Sequence, residues 1–251
     1  MNEKFIDKYL DTDKYEYEVL FTEKEGHATE ICAKAIEDGF NIIIAVGGDG
    51  TLNEVAKKVV DTDILFGIIP AGSGNGFARH LGIPLSLKGA LGVINKQKVQ
   101  RIDTINIYPG GSEQNDENRS FYMSTAGMGF DAEMAYQFKT AKTRGLWIYV
   151  KLVVQHFFTY TPKEYEIHLG EEKIVVEAFA ITVANASQFG NNATISPNAK
   201  LDDGLLDVCI SRKFPLYALP MLVYRFFTGT IDKSGYIKVH LAEQVRVKMD
   251  S

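Results

Sequence analysis

Two glycine-rich stretches carry the residues best suited to chemistry. The first, Gly47-Gly48-Asp49-Gly50-Thr51-Leu52-Asn53-Glu54, sets two carboxylates, a hydroxyl and an amide around backbone free of side chains. The second, Ala71-Gly72-Ser73-Gly74-Asn75-Gly76-Phe77-Ala78-Arg79, places glycines at alternate positions with a hydroxyl, an amide and a cation. Glycines let a backbone approach phosphate oxygens closely, and unpaired N–H groups at a helix start favour anions. A tight turn alone needs one glycine and a cap. The fuller set at residues 47–54 is therefore read as a ligand loop for phosphate groups. The familiar phosphate fingerprints are absent: there is no GxxxxGK[ST], residues 72–77 lack the last glycine of GxGxxG, and no protein-kinase loop signature occurs.

Each loop follows an apolar, β-branched run, NIIIAV and ILFGIIP. Up to about residue 103, runs of this kind alternate with helical stretches. YEYEVLF is expected as a strand, followed by a helix over residues 26–38, a helix after Gly50, and helices over 75–81 and 87–95. This alternation predicts a parallel α/β layer, and the lack of polar alternation in NIIIAV predicts a strand buried on both faces. In such a layer, ligands bind beyond the carboxyl ends of the strands, which is where both loops fall.

After residue 103 the pattern turns to short strands: TINIY, SFYMSTA, EYEIHL, KIVVEAFAITVANAS, LLDVCIS, GYIKVHL and VRVKM. They predict an antiparallel sandwich interrupted by helical stretches over residues 131–160 and 215–230. The expected organisation is an α/β domain over 1–103 and a β-rich domain over 104–251. Residues 108–120 read as a polar loop.

Hydrophobic residues are 45% of the 251-residue chain and charged residues 24%, which excludes wholesale disorder. The net charge of -5 argues against a dedicated nucleic-acid binder. Cys32 and Cys209 form no CxxC pair, and the five histidines show no HExxH spacing, so neither a disulfide framework nor a zinc site is expected. The N-terminus lacks an apolar signal region, and residues 145–160 are too short and too interrupted to span a bilayer. A cytoplasmic protein is expected, meeting a membrane only from its inner surface.

GGDGTLNEV followed by IPAGSGNGFAR resembles the diacylglycerol kinase catalytic-domain family in its bacterial lipid-kinase branch. GMGFDA at 127–132 and NAKLDDGLLD at 198–207 extend the resemblance over essentially the whole chain. The GGDG element alone is shared with NAD kinases and phosphofructokinases. The resemblance implies an NAD-kinase/diacylglycerol-kinase-like α/β domain, a sandwich behind it, and ATP-dependent phosphorylation of a lipid hydroxyl. It assigns Gly48, Asp49, Gly50, Thr51, Leu52, Asn53 and Glu54 to the ATP phosphates, with Thr22 and Ser73 completing the nucleotide site. Asp49 would act through Mg²⁺ bridging the phosphates, a setting that suits phosphoryl transfer. Asn53 and Glu54 read equally well as caps of the following helix. The resemblance further implies a structural Mg²⁺ held by the Asp203 carboxylate and the carbonyls of Lys200 and Leu205. The other reading of Asp202-Asp203-Gly204 is a plain turn.

Asp131 either faces the cleft or caps the helix after it, and His27 near a helix start reads as a surface residue beside the nucleotide. Lys139, Lys142 and Arg144 precede Trp147, Tyr149, Phe157, Phe158 and Tyr160. They suit transient docking at an anionic membrane surface, or a helix packed on the sandwich with its charges solvated. Strand edges in such a sandwich offer a route to a homodimer.

Members of the family open with an apolar strand and an Asn-Pro-x-Ser-Gly-type loop, and continue into an Asp-Gly-Glu-type segment that carries the proposed base. This chain begins at NEKFIDKYL and stops at Asp250-Ser251, so no residue is assigned as general base. A fragment is expected, one that folds poorly or turns over little by itself. The other readings are an NAD-kinase-like phosphotransferase and a nucleotide- or lipid-binding module without catalysis. Which lipid is phosphorylated is not legible in the sequence.

Overall fold

The computed structural model describes residues 3–111, 119–140 and 146–249. Two compact units divide at Tyr122/Met123. The expected boundary near 103 differs from this division by one hairpin, β3 (Ile105–Ile107) with β4 (Ser120–Tyr122). That hairpin belongs with the first unit, where Asn53 Nδ2 donates to the Phe121 carbonyl at 3.3 Å.

The first unit holds β1 (Ile42–Gly47) and β2 (Leu65–Pro70), paired in parallel with Gly47 opposite Pro70. Around them lie α1 (Glu3–Tyr9), α2 (His27–Glu37), α3 (Asp49–Val59), α4 (Gly76–His80) and α5 (Leu87–Asn95). Ser86 caps α5 by accepting from Gly89 N at 3.2 Å. One core joins Ile6 and Leu10 to Ile69, Ala90 and Leu91, with Tyr15, Tyr17, Val19 and Ile44 packed against it. On the far side of α3, α2 is tied by Thr29 Oγ1, which donates to the Glu54 carbonyl at 3.0 Å.

Two sequence expectations change here. Residues 15–20 alternate half-buried and exposed as a strand would, yet they join no ladder among the described residues. Their apolar side chains pack on the core without a neighbouring strand, and Tyr15 N donates instead to Asp11 O at 3.1 Å. β1 is likewise less buried than its composition predicts: it has one ladder partner among the described residues, and Val46 is exposed.

The second unit is an antiparallel sandwich. β12 (Ile237–Ala242), β11 (Leu206–Ser211), β8 (Ala180–Ala184) and β5 (Thr125–Gly129) form one sheet in that order. β13 (Val245–Met249), β6 (Lys163–Leu169) and β7 (Glu172–Ala178) form the other. Alternate residues meet between the sheets, among them Tyr165, Ile167, Ile181, Val208 and Ile210. The opposite side of the larger sheet, at Ala184, Cys209 and Ile237, is covered by α8 (Leu219–Thr228) through Leu222. A short hairpin, β9 (Gln188–Gly190) with β10 (Ala193–Thr194), completes the strands.

KIVVEAFAITVANAS, expected as one run, is two strands in different sheets, broken at Phe179. Phe179 N donates to Ser211 O at 2.8 Å, and its own carbonyl accepts from Phe130 N at 2.9 Å. Its ring stacks on Phe130 at 4.4 Å. SFYMSTA breaks in the same way at Met123-Ser124, giving β4 and β5. The helical stretch over 131–160 becomes α6 (Phe130–Thr140) and α7 (Leu146–Phe157). Among the described residues no helix is long and apolar enough to cross a membrane.

Candidate functional site

The two glycine loops leave neighbouring parallel strands at the same level, and Ala71 N donates to Gly47 O at 2.9 Å just past the last ladder pair. They then touch backbone to backbone. A Cβ on Gly72 would stand 2.3 Å from Gly48 Cα, so this approach exists only because residue 72 has no side chain. Gly47 is also closely packed, by the Thr51 side chain at 2.7 Å from where its Cβ would be.

α3 begins at Asp49, immediately after the extended Gly48, and carries no side-chain cap. Its ladder of backbone bonds opens with Leu52 N donating to Gly48 O at 3.1 Å. The amides of Asp49, Gly50 and Thr51 therefore have no acceptor within the helix. At Gly50 a side chain would meet open space.

Asp49 has a structural task as well. Its Oδ2 accepts from Gly76 N at 3.1 Å and its Oδ1 from Phe77 N at 3.0 Å. The carboxylate thus caps α4 from across the site, binding the first loop to the start of the helix after the second. Asn75, buried and in the left-handed region at φ 51°, cannot cap α4 itself because its side chain folds back. Its Oδ1 accepts from Gly72 N and its Nδ2 donates to Gly72 O, both at 2.8 Å. Arg79 Nε completes the loop by donating to Gly74 O at 3.1 Å. Sequence reasoning gave Asn75 and Arg79 no task. An asparagine between glycines, a residue type that tolerates positive φ, was the available signal.

Asn53 and Glu54 lie in the second turn of α3, so the capping alternative fails for both: the helix starts earlier than the glycine-rich sequence suggests. Leu52 is buried on the inner side of α3 and Ser73 is exposed in the second loop. Thr22 is exposed on the segment before α2 and makes no hydrogen bond with either loop. His27 is half-buried, and its Nδ1 accepts from Glu23 N at 3.1 Å.

In the second unit, Asp131 sits in the first turn of α6 rather than capping it. Its Oδ2 accepts from Thr182 Oγ1 at 2.8 Å and lies against Gly127, where a Cβ would come within 2.2 Å. Burial pushes its carboxyl up to about 6, against the opposing pull of the Thr182 hydroxyl. Its sequence neighbours Gly129 and Ala132 line a hollow of about 420 Å³ with Met128, Tyr160, Tyr165 and Met249. In the 200–205 loop, Asp203 Oδ1 accepts from Leu205 N at 3.1 Å and Gly204 turns at φ 71°, so the segment forms a turn that leaves Asp203 Oδ2 out of that bond. Lys200 and Asp203 are exposed and Leu205 half-buried. Among the described residues no group of three or more His, Cys, Asp or Glu side chains is placed to hold a metal. Lys139, Lys142, Arg144, Trp147 and Tyr149, read either at a membrane surface or on a helix packed against the sandwich, lie outside the described side chains.

Two family descriptions tile this architecture. Residues 2–107 match the diacylglycerol kinase catalytic domain, and residues 124–251 match the YegS C-terminal NAD kinase beta sandwich-like domain. The chain belongs to the diacylglycerol kinase family. Within that family it is 31% identical over 201 residues to a protein of Xanthomonas campestris named "Probable lipid kinase YegS-like", covering 77% of this chain. It is 28% identical over 250 residues to the diacylglycerol kinase of Bacillus subtilis, covering 94% of this chain and 79% of the relative. A Synechocystis protein of 30% identity has no assigned function. The chain spans 51% of the Synechocystis relative's length and 63% of the Xanthomonas relative's. The fold is that of a Bacillus anthracis diacylglycerol kinase crystal structure, with a TM-score of 0.65 at 22% identity over 92% of this chain and 74% of the other.

Proposed function

We propose that this diacylglycerol kinase family member transfers the γ-phosphoryl group of ATP to the hydroxyl of diacylglycerol or a related lipid. The observation that supports this best is the backbone contact between the two glycine loops, with the open amides of Asp49, Gly50 and Thr51 beside it. That arrangement offers donors to phosphate oxygens at a fixed spacing, which is most of what phosphoryl transfer asks of a protein. In this reading Gly48 through Glu54 follow the phosphates, and Thr22 and Ser73 bring hydroxyls to the nucleotide. The hollow combines apolar walls at Met128, Ala132, Val247 and Met249 with Glu133 and Lys163, a mixture that suits an acceptor with an acyl chain and a polar end.

Asp49 keeps a second lone pair on each oxygen after capping α4, so it can also face a cation. Mg²⁺ bound with the nucleotide would supply charge neutralisation on the phosphates. The 200–205 loop offers Asp203 Oδ2 with the carbonyls of Lys200 and Leu205, a donor set that fits a hard cation.

The test is transfer of label from γ-³²P-ATP to dioleoylglycerol in mixed micelles with Mg²⁺, for the wild type and Asp49→Ala. The expected result is labelled lipid, abolished by EDTA and by the substitution at a temperature where both proteins are folded. Nucleotide binding without transfer to diacylglycerol, a sphingoid base, phosphatidylglycerol or a prenol would overturn the reading. Label appearing in NAD instead would move the chain to the NAD-kinase-like alternative.

A further inference from the structure

α8 is apolar on both sides. Its inner side sets Ala218 and Leu222 on the sandwich beside Cys209, Ile231 and Ile237. Its outer side shows Val223 at 44%, Tyr224 at 68% and Phe227 at 42% exposure, and the helical turn leading into it (Leu216–Ala218) adds Leu216 at 48% and Tyr217 at 82%. With the exposed Pro220 these positions recur at helical spacing, so they form one continuous stripe. A helix on a water-facing surface ordinarily turns charges outward; one apolar all round is made to be covered.

The charges around the stripe point to what covers it. In a chain with 32 acidic residues against 27 basic ones, residues 211–231 contain Arg212, Lys213 and Arg225 and no acid. Arg212 and Lys213 are exposed at the entry to the helix. Two tyrosines in the stripe suit the depth where headgroups meet acyl chains. The entry also adjoins the end of α7: the Phe157 and Phe214 rings lie 5.0 Å apart, and Lys213 Nζ donates to Tyr160 O at 3.2 Å. Phe158, next to this junction, is itself exposed. A second copy presenting the same face would bring cations and no acid to meet Arg212 and Lys213.

We infer that the outer face of α8 docks on an anionic membrane surface. Tyr217, Val223, Tyr224 and Phe227 enter the headgroup–acyl boundary while Arg212 and Lys213 meet lipid phosphates. The choice of a lipid occupant rests on the lipid-kinase reading, since a water-insoluble acceptor has to be collected at a membrane.

The test is co-sedimentation with phosphatidylcholine vesicles, with and without about 30% phosphatidylglycerol. Wild type is expected to bind the anionic vesicles. Tyr224→Glu/Phe227→Glu is expected to bind at least about ten-fold more weakly, because two apolar side chains no longer enter. Arg212→Gln/Lys213→Gln leaves the stripe intact and is expected to lose the preference for anionic lipid, which covers the case of a misfolded first variant. Wild type that ignores both vesicles, or variants that bind as it does, would overturn the inference. So would a wild-type dimer that Tyr224→Glu/Phe227→Glu converts to monomer with vesicle binding unchanged. Soluble dioctanoylglycerol separates the two readings. The stripe variant is expected to phosphorylate it at the wild-type rate, whereas a wild type that fails on it and on the other acceptors named above refutes the kinase reading and leaves vesicle binding to be judged alone.

Discussion

The contact between the two glycine loops yields a prediction with opposite outcomes at two glycines. A methyl group on Gly72 would stand 2.3 Å from Gly48 Cα, 3.0 Å from Gly48 N and 2.9 Å from Asn75 Oδ1. Carbon atoms settle at about 3.5 Å or more, so Gly72→Ala has to push the loop backbones apart by roughly 1 Å. Overpacking of that kind costs about 1–3 kcal/mol. For a unit of this size the melting temperature should fall by roughly 4–12 °C. Nucleotide binding should weaken with it, since the amides around Asp49 lose their fixed spacing. Gly50→Ala meets no atom within 4 Å in the helical first turn of α3. There the shorter list of unfolded conformations should leave stability unchanged or raise it by up to about 1 kcal/mol. If phosphates approach the Gly50 backbone, nucleotide affinity should nevertheless fall in this variant. Thermal melts and titration with a fluorescent ATP analogue read both quantities. A Gly72→Ala protein that melts within about 1 °C of wild type, where a loss several times larger is expected, and binds nucleotide equally well would refute the argument.

Asp131 gives a pH signature of unusual sign. Its folded pKa is raised to about 6 from 3.8, so between those values the folded state holds a proton that the unfolded state has released. Stability should therefore fall as pH rises from about 4 to about 6, by up to about 3 kcal/mol, and level off above that. Asp131→Asn should remove this slope and melt higher than wild type at pH 7; parallel stability profiles for the two proteins would disprove it. Asn75→Ala should cost about 1–3 kcal/mol in urea denaturation by stripping Gly72 N and O of their partners. Asn75→Gly should recover about 1 kcal/mol of that, because φ 51° no longer meets a Cβ. Equal losses would show that the left-handed backbone carries no strain.

What could be read in advance was local. Glycine pairs after β-branched runs mark β1, β2 and the loops beyond them, and helical spacing brackets α2, α4 and α5 within a residue or two. The misjudged features depend on neighbours far along the chain. Whether residues 15–20 join a ladder is decided by what lies beside them, and alternation of side chains records only that they pack. Nothing local separates β7 from β8, since Phe179 looks like any other residue of an apolar run until Ser211 and Phe130 claim its two backbone groups. The additional capping role of Asp49 is hidden in the same way, because the helix it caps starts at Gly76, well along the chain.

That single-residue passage at Phe179 links the pairing of both sheets of the sandwich. β7 is aligned against β6, and β8 against β5 and β11, yet β7 ends at Ala178 and β8 begins at Ala180. A slip of one residue in either ladder would have to be copied into the other, turning Tyr165 and Ile167 outward on one side or Ile181 and its neighbours on the other. Alignment in the two sheets is thus one variable rather than two, and an error in it is opposed by the whole interior at once.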